Sequence, residues 1–243
     1  MPRRRREGRE ENRKPCKYLD LYLRRLEKEL SIPEEEILSR MRWDLPILSE
    51  NSKCSVSLDL PVKNCKPTVV CRKVCYACQG RQFYRQAVRK SLAVNELVRI
   101  DPERAAFKII AEAKGRAVRL AGSGELLPEN KELIKYLKKQ GGKYWGFTKR
   151  IDTYEAVPSL MFSLDASSPE EVLEYVEENV PVKQRCYVRR PEDPLPDLEV
   201  GVIFPVHGAI TCYAEEVPES PLDCPAVRHK VKSCRECLRC YKV

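Results

Sequence analysis

Twelve of the 243 residues are cysteine, and nine of the twelve fall into two groups. The first holds Cys54, Cys65, Cys71, Cys75 and Cys78, the last three spaced C-x3-C-x2-C. The second holds Cys224, Cys234, Cys237 and Cys240 and ends in C-x2-C-x2-C. Two-residue spacers let the chain turn so that successive sulfurs face one centre, a habit of iron–sulfur ligation. Zinc accepts similar spacings and is the alternative metal. Around the second group, Arg228, Lys230, Lys232, Arg235 and Arg239 would favour thiolates and offset the charge of a metal–thiolate centre. In the first group, Cys71, Cys75 and Cys78 leave one iron of a [4Fe–4S] cube without a protein sulfur, an open corner where a ligand can bind. A fourth sulfur from Cys54 or Cys65 would close the site, and spacing does not choose between them. Cys16 stands apart near the start of a helix, and Cys186 and Cys212 read as buried or surface thiols. His229, inside the second group's spacer, could replace a thiolate, and His207 reads as a loop histidine.

The elements that must position these sulfurs alternate between strand and helix. Helices are expected at 17–30, with Leu19, Leu23, Leu26 and Leu30 forming its apolar face, and at 34–42, 81–99, 102–115 and 128–139. Ser168 and Pro169 predict the capped start of another at 169–179. Strands are expected near 55–60, 117–120, 144–148, 160–164, 183–188 and 199–204. Such alternation implies a parallel sheet, hence α/β with a full or partial β/α barrel. Ligands in such folds sit at the carboxyl ends of strands. Gly124, Glu125, Thr148, Lys149 and Asp165 all fall at that edge, and the loop of Cys71 would join them.

Charge and composition bound the function. The net charge of +9 is concentrated at the ends: residues 1–15 carry seven basic and three acidic side chains, and 228–243 carry six and one. Basic ends on a neutral body suit contact with nucleic acid or another polyanion. A solvated tail is the plainer reading of the first. No run of eighteen apolar residues is present, and no apolar stretch follows the N-terminal arginines, so a soluble, cytoplasmic protein without a membrane partner is expected. With 33% charged residues and few glutamines, the composition is of thermophilic type. The expected organisation is a basic tail over 1–15, a helical segment over 16–53, an α/β core over 54–215 and a cysteine-rich metal-cluster segment over 216–243.

At this point the chain resembles the radical SAM superfamily. C-x3-C-x2-C precedes a helix, and Gly122, Ser123, Gly124 and Glu125 end a strand, like that superfamily's Gly-Gly-Glu element. Phe147-Thr148-Lys149 and Ser163-Leu164-Asp165 look like its later strand ends. Two positions differ: Ala77 precedes the third cysteine where an aromatic is usual, with Tyr76 carrying the ring, and Ser123 splits the glycine pair. More closely, the chain resembles the phage and archaeal gene-product-eighty-eight family, in its Cys-Tyr-Ala element, its Gly-Ser-Gly-Glu and Thr-Lys strand ends, and its terminal C-P…C-x2-C-x2-C. The superfamily resemblance implies a partial, radical-SAM-like parallel barrel with a C-terminal cluster segment. It implies one or two [4Fe–4S] clusters on Cys71, Cys75 and Cys78 (with Cys65) and on Cys224, Cys234, Cys237 and Cys240.

The same resemblance implies reductive cleavage of S-adenosylmethionine, held by Gly122, Ser123, Gly124 and Glu125, with Lys149 and Asp165 positioning a substrate and an electron donor as partner. The competing reading is a non-catalytic nucleic-acid-binding or regulatory protein, stabilised by zinc or iron–sulfur. A redox carrier with two clusters also explains the cysteines, but not the strand-end loop.

Overall fold

The computed structural model describes residues 18–51, 55–78, 82, 84–190, 193–194, 197–205 and 222. The tail over 1–15, Cys16, Cys54, His207, Cys212, His229 and all four cysteines of the C-terminal group lie outside these residues. Two helices come first, α1 (Tyr18–Leu30) and α2 (Glu34–Arg40), followed by the hairpin of β1 (Leu48–Asn51) and β2 (Ser55–Leu58). Next are α3 (Val69–Val74), α4 (Arg85–Ile100), α5 (Pro102–Ala113) and β3 (Val118–Leu120). The chain continues through α6 (Lys131–Lys139), β4 (Tyr144–Thr148), α7 (Ile151–Ala156), β5 (Met161–Asp165), α8 (Glu170–Asn179), β6 (Arg185–Arg189) and β7 (Val202–Pro205).

The seven strands form one sheet in sequence order. β1 runs antiparallel to β2, and β2 through β7 are parallel. The fold is therefore mixed α/β with a mostly parallel sheet. No pairing joins β1 to β7 among the described residues, so no closed barrel forms there, and what the described strands show of the expected partial barrel is the mostly parallel sheet. No helix among the described residues is long and apolar enough to cross a membrane.

Alternation along the strands separates two faces. Val56, Leu58, Val118 and Leu120 pack with Val94, Leu97, Ile109, Leu133 and Leu137 of the connecting helices. Phe162, Leu164, Tyr187 and Ile203 pack with Val176 and Val180. Each fully buried leucine here contributes about 2 kcal/mol of transfer free energy. The opposite face is polar and aromatic. Ser57 and Trp145 flank Arg119 in register, and Ser163 pairs with Cys186. The Arg119 guanidinium lies 5.5 Å from the Trp145 ring centroid and 5.8 Å from that of Phe147, and these two rings meet edge-on at 5.6 Å.

Three local expectations are corrected. The leucine face of α1 is only partly its buried face: Leu26 packs inward, but Leu23 and Leu30 are 46% and 70% exposed, whereas Tyr22, Arg25 and Glu29 are 7%, 0% and 3% exposed. Glu29 is drawn inward because its two carboxylate oxygens accept from the amides of Val62 (2.8 Å) and Lys63 (2.8 Å), and Arg25 follows to neutralise it at 3.0 Å. Ser168 does not cap α8. Pro169 occupies the cap position without a side-chain bond, and the Ser168 hydroxyl instead accepts from the Asp165 amide at 2.9 Å. The stretch 128–139 is a 3-10 turn at Pro128–Asn130 leading into α6. In addition, β1 was not foreseen. Its entry is fixed by the Glu112 carboxylate, which accepts from the amides of Ile47 and Leu48.

Beyond β2 and β3 the chain segments at 58–61 and 122–125 run against each other. The Gly122 amide donates to the Leu58 carbonyl at 2.8 Å, the Leu60 amide to the Ser123 carbonyl at 2.9 Å, and the Ser123 hydroxyl to the Leu60 carbonyl at 3.1 Å. A Cβ at position 122 would overlap the Asp59 carboxylate, and one at 124 would overlap the Leu60 carbonyl. Gly124 also has φ +70°, where an L side chain costs about 1–2 kcal/mol. We expect Gly124→Ala to lower stability by about 3 kcal/mol, strain and overlap together. Gly115→Ala, at φ +78° with open space around the new methyl, should lose only about 1 kcal/mol. Paired urea melts check the order, and equal losses would show that the crossing at 58–61 tolerates a side chain.

Candidate functional site

The carboxyl ends of β2, β3, β4 and β5 share one edge of the sheet, because these strands are parallel neighbours. Glu125 follows β3 and is buried. Its Oε1 accepts from the Thr148 hydroxyl at 2.6 Å and from the Lys149 amide at 2.7 Å, so the end of β4 holds it. Among the described residues its Oε2 takes no hydrogen bond. Burial pushes the Glu125 carboxyl above its usual range, and the bonds from Thr148 and Lys149 only partly oppose this.

The Lys149 ammonium turns toward β5. It donates to Asp165 Oδ2 at 2.8 Å and to the Ser163 carbonyl at 3.3 Å. Asp165 Oδ1 accepts from the Ser167 amide (2.9 Å) and hydroxyl (2.8 Å). The Thr68 hydroxyl donates to Asp165 Oδ2 while accepting from the Cys71 amide at 3.1 Å, as the N-cap of α3. The Val70 amide donates to the Ser167 hydroxyl at 2.9 Å. The first turn of the cysteine helix is thereby fastened to the end of β5. Burial raises the Asp165 carboxyl, but the Lys149 charge and the bonds from Lys149, Thr68 and Ser167 outweigh it and hold it below the usual range.

Four cysteines of the first group are described here, all as free thiols. Cys65 and Cys75 pack against a cluster of Tyr22, Val62, Ala77 and Cys78. The Cys78 and Cys75 sulfurs are 3.4 Å apart. Burial pushes the Cys71 thiol up to about 12, partly offset by Lys149, with Cys75, Asp165 and Glu125 adding to the rise. Cys65 is raised far above its ordinary value by burial and then by Glu125, Cys75 and Cys71. Cys75 is raised first by its bond with Cys78 and then by burial. Tyr22 is pushed up to about 12 by burial and by Cys65, against the nearby Arg72 guanidinium.

As it stands, no group of three or more His, Cys, Asp or Glu among the described residues surrounds a metal position. The donor set nevertheless suits a thiophilic metal. Cys65 and Cys75 pack beside the buried Cys78, and as thiolates these sulfurs would need a cation to offset mutual repulsion.

The structure thus brings Gly122, Ser123, Gly124, Glu125, Lys149 and Asp165 to one edge with Cys65, Cys71, Cys75 and Cys78. Cys186 sits apart, buried in β6. Ser123 and Gly124 serve the chain crossing described above. Thr68, Ser167, Asp59, Glu29 and Tyr22 were missed as site residues. Thr68 had a signal, lying three residues before Cys71 as an N-cap does. The others are joined only by long-range contacts.

Replacing Asp165 tests the edge. Asp165→Asn leaves the half-buried Lys149 ammonium without its counter-charge and should cost about 3 kcal/mol near neutral pH. Because the folded-state carboxyl lies below its unfolded value, its contribution is full above the unfolded value and is lost as pH falls through the folded one. The gap between wild type and variant should therefore narrow below about pH 4. Urea melts across pH check this, and a constant gap would mean the pair is not coupled to folding.

A family model described as gene product 88 matches residues 25–243 of the chain. No curated protein matches it, and no solved structure does.

Proposed function

The chain belongs to the gene product 88 family, and from the geometry of its strand-end edge we propose that it is an iron–sulfur protein with a radical-SAM-like core, binding S-adenosylmethionine beside Glu125. The observation that carries this reading is the bridge from Cys71 through Thr68 to Asp165, which fastens the cysteine loop to the edge where Glu125 lies. When bound to Cys71, Cys75 and Cys78, a [4Fe–4S] cluster would supply the electron that cleaves the sulfonium.

The chain's own residues do the rest. Glu125, held through Oε1 by Thr148 and Lys149, keeps Oε2 for a cationic amine. Gly122 and Gly124 let the backbone pass close to the segment at 58–61. Lys149 and Asp165 neutralise each other and present a polar rim to a substrate. The strand face opposite the helices, with Arg119, Trp145 and Phe147, suits a polar or aromatic substrate. The C-terminal cysteines, Cys224, Cys234, Cys237 and Cys240, would hold a second cluster that could supply electrons.

One observation favours a second reading. Two thiolates on one tetrahedral zinc stand about 3.8 Å apart, given bonds of about 2.3 Å. The 3.4 Å between Cys75 and Cys78 is near that value. A closed zinc site would then stabilise a non-catalytic protein whose basic ends contact nucleic acid.

Anaerobic purification with iron, sulfide and zinc counts separates the two. We expect about eight irons per chain and an EPR signal of the reduced protein that changes with S-adenosylmethionine. Replacing Cys71, Cys75 or Cys78 with Ala should remove one cluster and leave the other. Glu125→Gln should weaken S-adenosylmethionine binding by about tenfold with cluster content unchanged. Zinc without sulfide would favour the second reading, and unaltered affinity in Glu125→Gln would remove that role.

A further inference from the structure

The sulfurs of Cys75 and Cys78 meet at 3.4 Å, and both residues are free thiols. The backbone explains the contact. Cys75 ends α3, and the 3-10 turn Tyr76–Cys78 follows at once, with the Cys78 amide donating to the Cys75 carbonyl at 3.3 Å. In such a turn the side chains of residues i and i+3 eclipse, and three residues rise about 6 Å. A disulfide spans Cα atoms about 4.4–6.8 Å apart, so the turn already holds this pair at a bonding separation. Only rotation of the two side chains remains.

The two residues differ in access. Cys75 is partly exposed, whereas Cys78 is 2% exposed and packs with Tyr22, Val62 and Ala77. One is thus placed to meet a reagent from solution and the other to complete the reaction from within. The surroundings of the pair are apolar, and a pair of thiols and a disulfide are both uncharged. Interconversion therefore leaves no charge buried at its end, and the same pocket accepts either form.

We propose that Cys75 and Cys78 form a reversible disulfide, which makes this turn a thiol–disulfide redox pair. The co-reactant is a small-molecule disulfide such as oxidised glutathione. The Cys75 thiol gives up its proton and its sulfur attacks one sulfur of the reagent, releasing a first glutathione that takes up a proton. Cys78 then loses its proton and attacks the Cys75 sulfur, and the second glutathione leaves in the same way. Two protein thiols are oxidised and one glutathione disulfide is reduced to two thiols. The proposal concerns the metal-free chain and does not rest on the reading of the loop as a cluster site. In the oxidised form neither sulfur is free to bind a metal, so oxidation closes the loop to one.

The full chain, stripped of metal with a chelator, is equilibrated anaerobically in mixtures of reduced and oxidised glutathione. It is then quenched in acid, alkylated, digested with trypsin and mapped by mass spectrometry. Cleavage after Lys73 and Arg81 yields the peptide 74–81, whose only cysteines are Cys75 and Cys78, while Cys65 and Cys71 share the peptide 64–72. We expect peptide 74–81 to lose both alkylation sites as oxidised glutathione rises and to regain them when the reduced form is restored. Peptide 64–72 should stay alkylated throughout. Cys78→Ser should hold one glutathione on Cys75, Cys75→Ser should leave Cys78 reduced, and Cys65→Ala should oxidise as wild type does. The wild-type map decides by itself where a variant fails to fold. Full alkylation of peptide 74–81 at every ratio would overturn the proposal. So would a cross-link between the two peptides, or a disulfide that excess reduced glutathione does not open. None of these outcomes touches the cluster reading, which the metal and sulfide counts test separately.

Discussion

The candidate site depends on how closely two backbone segments pass beyond the ends of β2 and β3. Between Asp59 and Leu60 on one side and Gly122 and Gly124 on the other there is no room for a β-carbon. Parallel strands lie about 4.8 Å apart, so their continuing loops ordinarily diverge to make space for side chains. Here they stay in contact, cross-linked by the Gly122 amide, the Leu60 amide and the Ser123 hydroxyl. Consequently Glu125 and the chain leading to Cys65 leave the sheet side by side. The Asn64 bond to the Glu125 carbonyl continues that contact one step further.

Polar groups withdrawn from water hold the loop in place. Glu29 and Arg25 of α1 are buried with the turn that precedes Cys65, and Asp165 and Lys149 are buried with the helix that begins before Cys71. Buried ion pairs add little net stability by themselves, since desolvation offsets most of the attraction. Their effect is directional. A charge that loses its partner in a dry pocket is so unfavourable that few alternative loop arrangements compete. Thr68 shows the economy of the design, as one hydroxyl both caps α3 and donates to Asp165.

The electrostatics of the pocket follow from this construction. Burial raises Cys65 and Cys71, with neighbouring carboxylates adding to the rise, and Cys75 is raised first by its bond with Cys78 and then by burial. Glu125 is likewise raised, while Asp165, with Lys149 against it, is lowered. Two carboxylates on one edge thus have opposite tendencies, one lowered by its ion pair and the other raised by burial.

Much of this was legible in the sequence, because it rests on local pattern. Alternating strands and helices, the parallel sheet, and the strand-end positions of Glu125, Thr148, Lys149 and Asp165 follow from periodicity and from Gly and Pro punctuation, which act over a few residues. What the tertiary structure decided are contacts between residues far apart in the chain. The buried face of α1 is set in part by Glu29 meeting backbone amides over thirty residues away, which turns Leu23 and Leu30 outward. The antiparallel edge strand β1 exists because Glu112 accepts the amides at its start. The turn before Cys65 is held by Glu29, whose carboxylate accepts the amides of Val62 and Lys63, and by Asn64, which donates to the Glu125 carbonyl. Such pairings carry no periodic signal, since nothing in a run of residues records which distant donor its acceptor will meet.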